Sequence, residues 1–204
     1  MTATKPDEIT VRDTSSSFLP APEGQHQAVA VDVINLGERV EAFQGQDPKV
    51  VHKVAIIYQV EETNPENGER FTIAVEKTLS MHPRSGLRKW LESWRGKAYT
   101  DDEARTQGAP LHKLVGANCF IVIEHKRSKK DRTYAVASNI MPKPKNVAAL
   151  EPGSYTRADY WATRKEEYAK SVASFRSIQG GGNGQEPPPP DAPEGYDDDD
   201  DLPF

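Results

Sequence analysis

The stretch "EHKRSKKDRTY" gathers Lys126, Arg127, Lys129, Lys130 and Arg132 into one short turn. Cationic side chains at this density pair with the oxygens of a polyanion such as a phosphate backbone. Lys53, Lys77, Lys143 and Lys145 are candidates to extend the same track. Aromatic rings are the natural complement, since bases stack on them for about 1–3 kcal/mol each. Tyr58, Phe71 and Tyr134 fall in segments that read as strands and are the candidate stacking faces. Each choice has a plainer rival. A basic turn is often only solvated. Tyr58 follows Ile56 and Ile57 in an apolar run, where core burial competes with stacking. Phe71 opens a strand beside a loop, and exposure and burial stay open there.

The residues that usually signal catalysis are not so arranged. His26, His52, His82, His112 and His125 show no HxH or HExxH spacing, and the lone Cys119 makes no zinc motif. No Gly-rich loop precedes a helix. The carboxylates of "TDDEA", Asp101, Asp102 and Glu103, could hold Mg²⁺ in a nuclease, but acids before a short helix read better as caps. The expectation is a protein that binds and does not catalyse, with no cofactor and no metal.

Charge is distributed unevenly. The 204-residue chain carries a formal charge of −5. Residues 186–204 hold Glu186, Asp191, Glu194 and Asp197 to Asp201 and no base, which leaves 26 basic against 23 acidic residues, about +3, in residues 1–185. The block Asp197, Asp198, Asp199, Asp200, Asp201 repels itself into an extended state. Solubility explains those aspartates but not Leu202, Pro203 and Phe204 after them. An apolar pocket on a partner would take the Phe204 ring while an Arg or Lys holds carboxylate oxygens. The same tail could fold back on a basic groove and compete with a polyanion there.

Positioning these groups falls to a compact set of elements. Residues 1–24 are polar with Pro20, Pro22 and Gly24 and read as a flexible arm. Strands are expected at "QAVAVDVINLG", where Val29, Val31 and Val33 alternate, at "KVVHKVAIIYQVEE" and at "RFTIAVEKTLS". The turn "FQGQDP" and the Asn-Gly hairpin loop "NPENGE" separate them. "SGLRKWLESWRG" places Leu87, Trp90, Leu91 and Trp94 at helical spacing and stops at Gly96. The two tryptophans read as core, with Arg88 and Lys89 on a solvated side. "NCFIVIEHK" and "RTYAVASNIMP" complete the strands.

The fold class is therefore mainly β. The order strand-strand-strand-helix-strand-strand over 25–146 is that of an OB-fold, a five-stranded barrel with one helix between strands 3 and 4. Residues 147–178 form a partly helical extension, with Tyr160, Tyr168, Val172 and Phe175 partly on one side. Residues 179–196 are a Gly/Pro-rich linker, and 197–204 the acidic tip.

The terminal "DDDDDLPF" closely resembles the acidic tip of bacterial single-stranded-DNA-binding proteins, which follows a flexible linker and docks onto replication, recombination and repair enzymes. The body resembles a group of phage and mobile-element proteins related to phage single-stranded-DNA-binding proteins, through "KTLSMHPRSGLRKWLESWRGKAYT", "LVGANCFIVIEHK" and "YAVASNIMPKPK". These resemblances imply sequence-independent binding of single-stranded DNA in replication and recombination, with partner enzymes recruited by the tip. Two rivals remain: an adaptor that mimics the tip to capture host enzymes, and a recombination nuclease or annealing protein. One cysteine, no apolar run of signal-peptide length and no membrane-length span suggest the cytoplasm, of a host cell if phage-encoded. Homo-oligomerisation stays open.

Overall fold

The computed structural model describes residues 19–42, 47–129 and 131–179. The arm through residue 18, turn residues 43–46, Lys130, the linker from 180 and the tip Asp197 to Phe204 lie outside the described residues.

Five antiparallel strands form one open sheet, β1 (Gly24–Glu41), β2 (Lys49–Thr63), β3 (Arg70–Thr78), β4 (Asn118–Arg127) and β5 (Thr133–Pro142), in the order β3-β2-β1-β4-β5. β1 is long because it serves two partners. Its first residues pair with β4, from Gly24↔Ile123 to Val29↔Asn118, and the remainder with β2, from Ala28↔Val60 to Glu41↔Lys49. Between Ala30↔Tyr58 and Asp32↔Ile57 the register slips by one residue, at Val31. Such a bulge bends the strand and exchanges its faces. Ala28 and Ala30 accordingly face one core, whereas Ile34 and Leu36 face the other. The edge strands β3 and β5 approach one another, but no ladder joins them among the described residues.

Between β3 and β4 lies α1 (Gly86–Arg95). Leu87, Trp90, Leu91 and Trp94 all point into the main core with Ile56, Tyr58, Val75, Ile121 and Ile140. Gly96 ends the helix in the left-handed region at φ 66°, where its N–H reaches Glu92 O and Ser93 O. The expected solvated position of Arg88 is not what the structure has. Arg88 is buried, and its guanidinium donates to Glu92, Asp101, Met81 O and Tyr99 O. It ties the helix to the loop that follows. In that loop Thr100 and Glu103 cap a short helical turn reciprocally: Thr100 N donates to Glu103 Oε2, and Glu103 N to Thr100 Oγ1. The backbone bond from Thr100 foremost holds the Glu103 carboxyl below its ordinary range.

The opposite face of the sheet is covered by the C-terminal extension. Helix α2 (Tyr160–Gln179) lays Trp161 and Tyr168 on β1 and β2, against Ile34, Leu36, Ala55 and Ile57, and also buries Val172. Trp161, not Tyr160, is the anchor. The Tyr168 ring lies under the guanidinia of Arg39 and Arg164, 5.2 and 5.4 Å from its centroid, and its hydroxyl donates to Glu76.

An extended strap, residues 147–157, leads to α2 and crosses the strands. It is held by amide side chains rather than by a ladder. Asn118 donates to Leu150 O and accepts from Leu150 N, Gln27 donates to Ala148 O, and Gln59 accepts from Gly153 N while donating to Ser154 O. Gln27 and Gln59 are buried within their strands and Asn118 opens β4, and each finds the partner that an amide withdrawn from water needs. No described helix is long and apolar enough to cross a membrane.

Candidate nucleic-acid interface

The β4–β5 hairpin presents cations at one end of the sheet. Its turn closes through Ser128 N to Arg132 O and Asp131 N to Ser128 O, both 2.9 Å, with Asp131 in the left-handed region at φ 56°. Asp and Asn tolerate that region better than most residues. Arg127, Lys129 and Arg132 are exposed there and Lys126 half-buried. Arg127 lies 3.2 Å from Asp131, with both side chains more than three-quarters exposed. An exposed pair of this kind is worth little and yields readily to a competing phosphate. Lys130 completes the sequence run but lies outside the described residues.

The other candidates do not join this cluster into one track. Lys143 and Lys145 follow the far end of β5, about 30 Å from the hairpin at the rise of an extended strand. Lys143 Nζ donates to the carbonyls of Pro144 and Val147, while Lys145 is exposed. Lys77 stands opposite Val54, and its ammonium lies 5.7 Å from the Trp90 ring centroid. Lys53 is enclosed, only 2% exposed, with Nζ 2.5 Å from Glu41 Oε1 and 3.3 Å from Thr78 Oγ1. Its position in the ladder turns it inward, where a phosphate cannot reach.

The aromatic candidates are also drawn inward. Tyr58 is wholly buried, its hydroxyl accepting from Trp90 Nε1 at 2.9 Å and its ring 5.5 Å from that of Trp94. Burial foremost pushes the Tyr58 phenol well above its ordinary value. The core reading of Tyr58 holds, and no base can stack on it in this arrangement. Tyr134, opposite Lys126 on the hairpin, is 8% exposed and offers no open face. Phe71, 9% exposed, lies at the floor of two clefts. One of these, about 470 Å³, runs between the β2–β3 face and the strap and is lined by Arg70, Phe71, Tyr155 and Tyr160 among others. Burial foremost raises the Tyr160 phenol to about 12.

Around α1, sequence reasoning passed over Arg84, Arg95 and Lys97 and set Lys89 aside as solvated. Arg84, Lys89, Arg95 and Lys97 are exposed, and the Arg95 guanidinium lies 4.2 Å from the Tyr99 ring centroid. Their signal is the basic spacing of "HPRSGLRKW" with "WRGK" one turn later. It also passed over the grouping of His26 with Glu61 and Glu62, which are far apart in sequence and adjacent in the fold. Compared with known protein families and with curated protein sequences, the chain finds no match.

Proposed function

We propose that this chain is an OB-fold protein that binds single-stranded DNA without sequence preference in phage or mobile-element replication and recombination. The supporting architecture is a β1 strand shared by β2 and β4, edges β3 and β5 approaching each other, and α1 inserted between β3 and β4. The observation that carries the reading is the exposed cationic β4–β5 hairpin with Arg127, Lys129 and Arg132. In an OB-fold that hairpin flanks the binding face. The segment Asp197 to Phe204 recruits replication and repair proteins, and the tether raises their concentration near the bound strand.

Titration of a fluorescent oligo-dT and a matched duplex, at low and high salt, tests this. Full-length protein and a form ending before Asp197 are compared. The expected result is salt-sensitive preference for the single strand, equal or tighter in the shortened form. Absence of that preference in both forms overturns it. The burial of Tyr58 and Tyr134 favours one second reading, an adaptor whose tip captures partner enzymes with little DNA binding of its own. Neutralising the hairpin would then leave DNA binding unchanged.

A further inference from the structure

His26, on β1, is buried, with its side chain 7% exposed; its Nδ1 is in close contact with Glu62, and its Nε2 has no hydrogen-bond partner. Leaving a buried imidazole so placed costs free energy that a ligand to nitrogen would recover. Its Nδ1 lies 2.5 Å from Glu62 Oε1, closer than an ordinary N–H···O bond and without hydrogen-bond geometry. Glu62 Oε2 is likewise buried and unbonded. Glu61, the next residue, brings a second carboxylate, and a ligand atom from each of the three side chains lies within 4.8 Å of the others.

Two neighbours on a regular strand point to opposite faces. Here the register breaks. β2 advances from Gln59 to Thr63 while β3 moves only from Thr72 to Arg70. The irregularity re-aims Glu61 and Glu62 so that both reach His26. Glu61 is steadied in this position, its Oε1 accepting from Gln27 N at 3.1 Å, which leaves the other oxygen to a ligand.

We propose that His26, Glu61 and Glu62 bind a divalent transition-metal ion, zinc by the character of the donor set. One imidazole and two carboxylates supply three ligands, and water completes a tetrahedron. Ligand atoms around zinc stand about 3.4 Å apart, so binding would open the His26–Glu62 contact slightly and draw in Glu61. Magnesium is a poor competitor, because it favours oxygen alone and keeps its water. Solvent reaches Glu61 and Glu62 from an open cleft of about 670 Å³ that Pro22, Pro65 and Phe71 also line. The ion would tie the start of β1 to the end of β2, beside the β2–β3 turn.

Calorimetric titration of untagged, EDTA-stripped full-length protein with zinc chloride, and separately with magnesium chloride, tests the site. The expected result is saturable zinc binding at a single equivalent in the micromolar range or tighter, with magnesium far weaker. Glu62→Gln and His26→Gln should each weaken zinc at least tenfold, and His112→Gln, at an exposed residue outside the cluster, should not. If His26→Gln does not fold, Glu62→Gln and Glu61→Gln decide. Absence of saturable binding, or binding that survives Glu62→Gln, overturns the proposal and leaves His26 and Glu62 as an ion pair only.

Discussion

Arg157 closes a two-pronged ion pair on Asp32, with Nε to Oδ2 and Nη2 to Oδ1 both 2.7 Å. Asp32 reaches the strap because the bulge at Val31 turns it to the outer face, where Tyr155 OH also donates to it at 3.0 Å. Burial pushes the Asp32 carboxyl up, but the bonds from Arg157 and Tyr155 together outweigh it and the carboxyl lies below its usual 3.8. A folded value below the unfolded one gives stability that is full above the unfolded value and lost as pH falls through the folded one. Attachment of the strap should thus hold down to about pH 4 and weaken below it. Urea unfolding from pH 6 to pH 3 checks this, with Asp32→Asn expected to flatten the acid limb. Arg157→Ala should cost about 1 kcal/mol at neutral pH, since the guanidinium is half exposed.

Helix α2 owes its place to docking rather than to its own propensity. Truncating Trp161, 3% exposed, should cost about 3 kcal/mol or release α2 outright. Hydrogen exchange separates these outcomes from general unfolding. In Trp161→Ala the amides of α2 should lose protection while those of β2 and β4 keep theirs.

The buried pair Lys53–Glu41 makes an asymmetric prediction. Glu41→Ala takes the nearest carboxylate away from an enclosed ammonium and should cost about 3–5 kcal/mol by denaturant titration. Replacing both residues with apolar ones of similar volume, as Lys53→Met with Glu41→Leu, should be close to neutral. Neither change should alter the salt dependence of DNA binding, because Lys53 does not reach the surface.

The hairpin cations should behave in the opposite way. Arg127→Ala, Lys129→Ala and Arg132→Ala together should leave stability within about 0.5 kcal/mol. They should reduce the slope of log affinity against log salt for oligo-dT by about 2, at roughly 0.7 for each phosphate that is no longer neutralised. Tyr58→Phe should do the reverse. It removes the acceptor for Trp90 Nε1 at 2.9 Å, lowers stability by about 1–2 kcal/mol and leaves the slope unchanged.

The strands were legible because β-branched runs bounded by turn residues are a local signal, and α1 because four large apolar residues keep helical spacing. The bulges were not, since an extra residue in a ladder is a relation between two strands. That is why the alternation at Val29, Val31 and Val33 suggested one face where the structure uses two. Tyr58 shows the limit for the site. Its place after Ile56 and Ile57 allowed two fates, and only the approach of Trp90 and Trp94 from α1 decides between them. Gln59 carried an unread clue: a primary amide inside "AIIYQV" demands a partner, and the strap supplies it 95 residues later.

The strap has a consequence for what sequence change it can absorb. Gln27, Gln59 and Asn118 grip main-chain atoms of Ala148, Leu150, Gly153 and Ser154, so they are indifferent to most side chains there. Spelling from Ala148 to Ser154 can drift while its length cannot, because one residue more or less would carry every carbonyl past its amide. The segment acts as a ruler laid across the sheet, and it sets where α2 begins.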